Sequence, residues 1–556
     1  MELNLEEVKR EVIKPASASD SPTPHNDQIQ LSIVDFSSPP IYVSTIFFYN
    51  NTNDLNSETT SLKLKTSLSQ TLSRFYPLAG RIDGSSITCN DEGAVFTEAR
   101  TDLLLSDYLK TLNTDESFEK LLPTTAPGES PTAWPLVNVK VSSFGPGSGV
   151  AVAVGISHLI CDAASLFTFV SDWAATTKGN YNDLTVSSPL FASTTIYPPA
   201  NTSFQVPKMD ALTASSEKCV TKRFVFESSK IAELKSKAAS ETVAVPTRVE
   251  AITALIWKCA TKAASSRCNW SSMINLAMDI RLRTSSDILS QDAIGNLLTS
   301  FFLKKEPGSV IEIDQIVAQF RKAKEGVNEM IKESATTATL GQNLMKKGFE
   351  FVLALRPDTN LYVVTSWCMI WKCATKAASS RCNWSSMINL AMDIRLRTSS
   401  DILSQDAIGN LLTSFFLKKE PGSVIEIDQI VAQFRKAKEG VNEMIKESAT
   451  TATLGQNLMK KGFEFVLALR PDTNLYVVTS WCSKRFYEVD FGMGVPVWIG
   501  PSIASVLNNK LCILLMDARD GKSVEAWIGL PEQDMAVFMR DEDLLAYASL
   551  NPTILI

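Results

Sequence analysis

The 556-residue sequence has little of several features that mark other classes of protein. It contains only two histidines, and no two of its ten cysteines are separated by two residues. We therefore expect no metal site, and scattered reduced thiols of the kind found in cytoplasmic proteins. Because the net charge is −6, the chain has no overall basic field that would attract nucleic acid.

Long hydrophobic runs are also missing. Aliphatic stretches such as 150–156 and 511–516 fall far short of the roughly 20 apolar residues that span a bilayer. The first 24 residues are charged or rich in Ser and Pro, and they lack the apolar core of a secretion signal. The prediction is a globular cytoplasmic protein that makes no contact with a membrane and can bury a large core.

An internal repeat is the most unusual feature that the sequence does have. Residues 256–368 and 370–482 are identical over 113 positions, and Met369 alone separates them. Repeats that build an architecture usually diverge, because terminal and inner units face different surroundings. Identity without divergence therefore indicates a recent duplication or an error in assembling the gene.

The flanks of the repeat indicate that one copy is surplus. Residues 247–255 run into the first copy as one helix-like segment, and the second copy leads smoothly into residues 483–494. Between the copies, a strand-like end meets a helix-like start without any turn residue. Removing one period of 114 residues leaves 442, which we expect to be the functional unit. Either copy, or a chimera of both, could fill the native place.

Apolar patterns predict strands and helices that alternate through both halves, which favours an α/β fold. The predicted strands are 41–48, 150–156, 273–279 and 361–367, and the predicted helices are 62–75, 166–176 and 311–333. A linker over 189–207 is expected to separate an N-terminal domain, 1–205, from a C-terminal domain, 206–556. The C-terminal domain would contain both copies of the repeat.

His158 is the strongest candidate for chemistry. It ends the buried-strand pattern VAVAVGIS, at a point where side chains of α/β folds enter clefts, and Asp162 follows four residues later. A neutral imidazole can take a proton near pH 7, and a nearby carboxylate can hold its tautomer or the local backbone. The pattern alone also fits a structural histidine. His25 lies in a Pro- and Ser-rich leader, and Cys161 is interpreted as a small buried residue.

Two further stretches allow more than one interpretation. Asp490, Gly492 and Gly494 belong to a DFGMG sequence, which predicts a tight turn whose glycines allow close packing. A kinase magnesium site is not supported, because the H-R-D and Gly-rich loops are absent. Arg281 follows Asp279 at a predicted strand end, where it would suit a buried carboxylate or a phosphate. The alternative is a surface ion pair, which would contribute little.

Together these residues resemble the BAHD acyltransferase family. The matching set, in chain order, is IKPASASDSPTP, LSRFYPLAGR at 72–81, SHLICDAAS around His158, the Asp-x-Arg strand end, Thr-Ser-Trp, and DFGMG. The resemblance covers the chain apart from one repeat copy. It is nearest to the vinorine synthase-like acetyltransferases of alkaloids and terpenoids.

The resemblance implies two pseudo-symmetric α/β domains, similar to chloramphenicol acetyltransferase, with a channel between them. Acyl-CoA as co-substrate and a small alcohol or amine acceptor would meet at His158, the general base, in a monomeric enzyme without a bound cofactor. Asp162 would be structural and pair with Arg281 or Arg395. The turn containing Asp490 would shape the fold, and the residues that bind CoA are not identifiable.

Thr-Ser-Trp is similar to the element that stabilises the oxyanion in this family, through a hydroxyl and an indole N–H. It occurs twice, and we favour Thr479 with Trp481 over Thr365 with Trp367, because only the second copy continues into DFGMG. Met493 stands where the family has Trp, which predicts a local packing loss. The alternative to an active enzyme is an inactive product of the duplication that exposes apolar strands and aggregates.

Overall fold

The computed structural model describes residues 3–16, 27–38, 40–50, 57–112, 116–123, 134–145, 147–183, 189–197, 199, 219–265, 271–306, 308–354, 360–364, 386–393, 412–419, 436, 439, 443, 473–502 and 511–554. The chain divides into two compact units. The main body comprises 1–200, 208–351 and 474–556, and the second unit comprises 201–207 and 352–473. Within the described ranges, no helix is both long and apolar enough to cross a membrane.

The described elements alternate between strands and helices through most of the chain. The strands are β1 (Glu6–Ile13), β2 (Gln28–Gln30), β3 (Tyr42–Asn50), β4 (Arg81–Asp83), β5 (Ser86–Thr88), β6 (Ala94–Thr101), β7 (Val137–Phe144), β8 (Gly149–Ser157), β9 (Cys219–Phe226), β10 (Ser271–Asp279), β11 (Leu298–Lys305), β12 (Asn360–Val364), β13 (Ser386–Asp393), β14 (Leu412–Lys419), β15 (Thr473–Ser480), β16 (Trp498–Ser502), β17 (Cys512–Asp517), β18 (Val524–Pro531) and β19 (Ser549–Leu550). The helices are α1 (Ile33–Ser37), α2 (Ser57–Arg74), α3 (Leu105–Thr111), α4 (Glu116–Glu119), α5 (Ala163–Lys178), α6 (Ser193–Ile196), α7 (Ser228–Lys237), α8 (Arg248–Ser265), α9 (Ile313–Glu333), α10 (Thr337–Ala354), α11 (Glu532–Phe538) and α12 (Glu542–Leu545). Single 3-10 turns occur at Tyr76–Ala79, Tyr181–Asp183, Arg281–Arg283 and Phe486–Glu488.

The first large sheet of the main body has the strand order β1-β6-β7-β8-β3-β16. Its central strands, β3 and β8, are buried along almost their whole length, as expected for strands whose two faces are both covered. Helices α2 and α5 pack together beside it, and the indole N–H of Trp173 donates to the Leu64 carbonyl at 3.1 Å. The predicted strands 41–48 and 150–156 and helices 62–75 and 166–176 are therefore confirmed.

The second large sheet has the order β11-β10-β15-β17-β18-β9-β19. Its centre, β17 and β18, is nearly fully buried, and helices α8 and α9 pack on one another beside it. The rings of Trp257 on α8 and Phe320 on α9 lie 6.4 Å apart between centroids. The predicted strand 273–279 and helix 311–333 are confirmed as β10 and α9, and the strand predicted at 361–367 appears as β12.

The two large sheets share one pattern of pairing. In the first, β6 runs parallel to β7, and β8 and β3 follow in antiparallel order. In the second, β15 runs parallel to β17, and β18 and β9 follow in antiparallel order. A helix begins soon after the third strand of each set, α5 after β8 and α11 after β18. The architecture is thus the predicted α/β fold with two pseudo-symmetric halves.

One strand from near the C-terminus completes the N-terminal sheet. β16 pairs antiparallel with β3, from Trp498 opposite Phe48 to Ser502 opposite Ser44, and the Trp498 and Phe48 rings lie 5.4 Å apart. The first sheet therefore depends on residues that follow the whole repeat region. The domain boundary predicted between residues 205 and 206 lies outside the described residues and stays a prediction.

Both copies of the repeat contribute to the main body. Strands β10 and β11 and helix α9 come from the first copy, whereas β15, the strand between β10 and β17, comes from the second. The main body is thus a chimera of the two copies, which is one of the arrangements that the sequence allows. Residues 360–364, 386–393 and 412–419 of the second unit form a separate sheet with the order β12-β13-β14.

The DFGMG sequence forms a turn that docks on the first sheet and α5. The Asp490 carboxylate accepts the backbone N–H groups of Gly492 and Gly494 at 2.8 and 2.9 Å, and it pairs with Lys178 at 3.0 Å. Both glycines have positive φ, 83° and 85°, but a Cβ at either would meet nothing within 4 Å. The expected close packing of the glycines is therefore wrong, and their positive φ explains them instead.

Phe491 is the residue of this turn that packs into the core, and its removal should lower stability. Its ring is 3% exposed and lies 4.7 Å from that of Trp173. We expect Phe491→Ala to lower the free energy of unfolding by about 3–5 kcal/mol, because it leaves a cavity in the core. Urea unfolding and the melting temperature measure the loss. Leu62→Ala on α2, where the residue is 65% exposed, is the control and should change stability by about 0.5 kcal/mol or less. Equal losses in the two variants would contradict this account.

Candidate active site

His158 follows the buried strand β8 and begins a tight turn. Its backbone N–H donates to the Ile41 carbonyl at 2.8 Å, and the N–H groups of Ile160 and Cys161 both donate to the Ser157 carbonyl at 3.2 Å. The turn is thus fixed by the strand before it, and the His158 side chain remains half-buried. The rigid strand end positions a titratable imidazole, as the sequence predicted.

Asn296 is the direct partner of the His158 side chain. The Asn296 Oδ1 lies 3.1 Å from His158 Nδ1, and its Nδ2 donates to the His158 carbonyl at 2.8 Å. Asn296 is 1% exposed and lies in the loop between β10 and β11. Sequence reasoning missed it, since it is 138 residues from His158 and no local pattern joins the two.

The surroundings of His158 favour its neutral form. Burial lowers the pKa of its imidazole, and the charge of Asp162 and the hydrogen bond to Asn296 oppose this only in part. Its Nδ1 lies 3.1 Å from the Asn296 side-chain oxygen. A neutral histidine with one ring nitrogen engaged and the other available is suited to accept a proton.

Asp162 and Arg281 form a buried ion pair behind this turn. Asp162 is the N-cap of α5, and its Oδ1 accepts the Ser165 backbone N–H at 2.9 Å. The Arg281 guanidinium donates to both Asp162 oxygens, at 2.9 and 3.2 Å, and to Asp279 at 3.0 Å. The remaining Arg281 donors meet Ser165 Oγ and the Ala293 and Gly295 carbonyls. The surface ion pair considered as an alternative is thus wrong, because Arg281 is 3% exposed.

This pairing keeps Arg281 charged. Although burial lowers the pKa of Arg281, the charges of Asp162 and Asp279 raise it above the ordinary value for arginine. The Leu297 backbone N–H also donates to Asp162 Oδ2 at 3.2 Å. Both Asp162 oxygens are therefore occupied by Arg281 and backbone groups, and Asp162 holds the loop beside His158 instead of bonding the imidazole.

The structure places the Thr-Ser-Trp residues near the end of β15. Thr479 lies opposite Leu514 of β17, and the Trp481 backbone N–H donates to the Leu515 carbonyl at 2.7 Å. The Trp481 ring is 5% exposed and lies 5.6 Å from the Phe486 ring. Neither side chain is hydrogen-bonded to His158 among the described residues, so their oxyanion role stays a prediction. Thr365, Trp367, Arg395 and His25 lie outside the described residues.

Other nucleophiles and metal ligands near His158 can be assessed directly. Cys161 is fully buried, and burial raises the pKa of its thiol well above the usual range. A thiolate nucleophile is therefore disfavoured at this position. In the part of the chain that the structure describes, no three His, Cys, Asp or Glu side chains are grouped as metal ligands would be.

A two-sheet α/β body with a histidine at the end of a buried strand defines the chloramphenicol-acetyltransferase-like class. The profile of the Transferase family matches residues 3–370 and 368–545. BAHD acyltransferase BIA1 of Arabidopsis thaliana is 45% identical over 556 residues, covering 100% of both chains. Deacetylvindoline O-acetyltransferase of Catharanthus roseus is 32% identical and covers 98% of both chains. The chain belongs to the BAHD acyltransferase family.

Solved structures agree with this fold. Vinorine synthase superposes with a TM-score of 0.62 at 24% identity, covering 98% of this chain and 99% of the other. F. sporotrichioides TRI101, in complex with coenzyme A and T-2, superposes with a TM-score of 0.56 at 14% identity, covering 94% and 100% of the two chains. The two family matches meet at residues 368–370, where the repeat copies join.

The buried ion pair predicts a large effect of one substitution. We expect Asp162→Ala to lower the free energy of unfolding by about 3–5 kcal/mol, because it leaves part of the buried Arg281 charge uncompensated. Chemical unfolding monitored by tryptophan fluorescence measures the loss. Asp107→Ala is the control and should cost at most about 1 kcal/mol. Asp107 forms an exposed pair with Lys110 at 3.6 Å and accepts a long hydrogen bond from the Ser106 hydroxyl at 3.5 Å. Inactive Asp162→Ala protein of unchanged stability would contradict the structural role.

Proposed function

We propose that the protein transfers an acyl group from acyl-CoA to a hydroxyl or amine of a small plant metabolite, with His158 as the general base. The observation that carries this proposal is the half-buried His158 imidazole, whose Nδ1 is bonded to Asn296 and whose Nε2 is available. Membership of the BAHD family supplies the reaction class. The enzyme is further proposed to act as a cytoplasmic monomer without a bound cofactor.

The proposed reaction follows from the chemistry of this histidine. His158 Nε2 accepts the proton of the acceptor hydroxyl or amine as that atom attacks the thioester carbonyl carbon. Thr479 and Trp481 are proposed to donate hydrogen bonds to the oxyanion of the tetrahedral intermediate. When the intermediate collapses, the C–S bond breaks, and the imidazolium returns its proton to the departing sulfur. The products are the ester or amide and free CoA.

The named relatives narrow the proposed substrates. They include deacetylvindoline O-acetyltransferase and minovincinine 19-hydroxy-O-acetyltransferase of Catharanthus roseus, and limonoid 1-O-acetyltransferase of Citrus sinensis. All three names describe transfer of acetyl to oxygen. We therefore propose acetyl-CoA as the preferred donor and a hydroxyl on an alkaloid or terpenoid scaffold as the acceptor.

The duplication favours a second candidate, an inactive product that aggregates through its surplus strands. The three-stranded sheet β12-β13-β14 is the observation in its favour, since it has two edges that can pair with other chains. Against it, the main body contains a full seven-stranded sheet and an intact His158 turn. Acetyl transfer by soluble, full-length protein over a panel of alcohols would separate the two candidates.

The role of His158 can be tested because the chain has only one other histidine. We expect His158→Ala to lower kcat by about 10²–10⁴-fold, because the acceptor proton then has no base. Release of free CoA from acetyl-CoA measures turnover. His25→Ala is the matched control and should leave kcat unchanged. Wild-type turnover by folded His158→Ala protein would contradict the general-base role.

The same assay has an expected pH dependence. The base must be unprotonated, so kcat/KM rises with pH and reaches its plateau above the pKa of His158. Because burial lowers that pKa, the acid limb should have its midpoint below the ordinary value of about 6.5. A midpoint above that value would show that another group controls the limb.

A further inference from the structure

Asp35 is hydrogen-bonded to Asn296, the residue that contacts the His158 side chain directly. It belongs to the short helix α1, is 3% exposed, and forms a capping box with Ser32. Its Oδ1 accepts the Asn296 side-chain Nδ2 at 2.9 Å, the Asn296 backbone N–H at 3.3 Å and the Ser193 hydroxyl at 3.1 Å. Its Oδ2 accepts the Ser32 backbone N–H and hydroxyl at 2.9 and 2.7 Å.

These contacts fix which way the Asn296 amide points. One amide proton goes to Asp35 and the other to the His158 carbonyl, and both of these partners can only accept. Turning the amide over would place its oxygen against a carboxylate and a carbonyl, where no hydrogen bond can form. The oxygen therefore faces His158 Nδ1.

The orientation of the amide in turn fixes the tautomer of His158. An amide oxygen accepts only, so His158 Nδ1 must carry the proton that joins them. In the neutral imidazole, Nε2 is then the unprotonated nitrogen. The base is held ready for the proton of the acceptor before any substrate arrives.

We propose that Asp35 is a positioning residue, which fixes the Asn296 amide through its carboxylate and so keeps the neutral His158 imidazole protonated on Nδ1. This proposal rests on the proposed function of His158 as the general base. Three N–H groups and two hydroxyls converge on the two oxygens of Asp35. Burial raises the pKa of Asp35, but these hydrogen bonds lower it and suit a carboxylate that accepts on both oxygens. An asparagine at this position would have one oxygen and one NH2 group, so it could not accept hydrogen bonds from both Ser32 and Asn296.

Asp35→Asn in the full-length chain tests the proposal. If its NH2 group faces Asn296, the Asn296 amide loses its acceptor. If the NH2 group faces Ser32 instead, it meets the Ser32 backbone N–H, and two donors oppose each other. We expect kcat to fall at least about tenfold, with KM for acetyl-CoA unchanged. Ser38→Ala is the matched control, because the Ser38 hydroxyl donates to the Val34 carbonyl of α1 and its loss leaves the hydrogen bonds of the Asp35 carboxylate in place. It should retain wild-type kcat.

The tautomer itself can be measured without any assay of turnover. With 15N-labelled histidine only two imidazoles contribute, and His158→Ala assigns them. We expect His158 Nδ1 to be pyrrole-like and Nε2 pyridine-like in the wild type and in Ser38→Ala. In Asp35→Asn we expect a mixture of tautomers. An Nε2-protonated wild type, or an Asp35→Asn variant with the wild-type tautomer and kcat, would overturn the proposal.

The two proposals can fail separately. If His158→Ala retains turnover, the general-base function fails, while the nitrogen shifts still decide whether Asp35 sets the tautomer. If Asp35→Asn does not fold, Asp35→Ser takes its place in the same measurements. A serine at this position brings no charge toward Asn296.

A second inference comes from the repeat and is independent of Asp35. In the main body, β10 and β11 pair from Ser272 opposite Lys305 to Asp279 opposite Leu298. In the second unit, β13 and β14 pair from Ser386 opposite Lys419 to Asp393 opposite Leu412. Every partner in the second set lies 114 residues after its counterpart in the first. Identical segments thus form identical pairings in two different surroundings.

The main body contains the first copy up to α10 and continues with the second copy from β15. The chain would also build the same body if it passed from the first copy to the second at an earlier loop. Because the copies are identical, a body that continues 114 residues later has the same sequence. Each such arrangement makes the same contacts within the body and differs only in which residues are surplus. The entropy of closing a long surplus loop depends only weakly on its length.

We infer that the body accepts either copy, so that β13 and β14 of the second copy can take the places of β10 and β11. The chain would then hold two equivalent sets of residues for one site. Exchange between the two arrangements would require only that the chain pass from the first copy to the second at a different loop, such as the one between α8 and β10. The inference concerns folding and does not depend on the proposed reaction.

Variants of the two equivalent arginines test it. We expect Arg281→Ala and Arg395→Ala to melt at the same temperature as one another, because in each case the intact copy fills the body. The double variant should melt earlier and lose turnover, since Asp162 then has no cation in either arrangement. If Arg281→Ala alone behaves like the double variant while Arg395→Ala is silent, the body is committed to the first copy and the inference is overturned. The melting temperatures decide this even if the protein transfers no acyl group.

Discussion

The ion pair between Arg281 and Asp162 is the interaction on which the candidate site depends. A buried charge is costly unless its partners are complete, and here the guanidinium meets two carboxylates, a hydroxyl and two backbone carbonyls. These partners belong to the start of α5 and to the segment that joins β10 to β11. One cation therefore fixes the His158 turn, from the N-terminal half, against the Asn296 loop of the C-terminal half.

Much of the fold could be predicted from the sequence, because its signals are local. Buried central strands such as β3 and β8 appear as continuous apolar runs, and α9 has an apolar face at helical spacing. His158 could also be singled out locally, since it ends such a run. The partnership of Asp162 with Arg281 came from resemblance to a family, as nothing in the spacing of 119 residues between them indicates contact.

The parts that sequence reasoning missed are those that join distant segments. Asn296 and Asp35 are 261 residues apart, and each is an ordinary polar residue in a loop or a short helix until folding buries it. The pairing of β16 with β3 spans the whole repeat region, so no local pattern could reveal it. The sequence of the DFGMG turn suggests close-packed glycines, because a sequence indicates that a glycine is needed but not whether positive φ or lack of space requires it.

The duplication leaves the site intact for a reason that lies in the fold. His158, Asp162 and Asp35 precede the repeat, and DFGMG follows it, so none of them depends on which copy is used. Arg281 and Asn296 lie within the repeat, but the second copy carries the same residues at the same spacing. Added sequence of this kind lengthens one connection of the body. The His158 turn, its Asn296 partner and the Arg281 pair are therefore all present in a chain that carries 114 surplus residues.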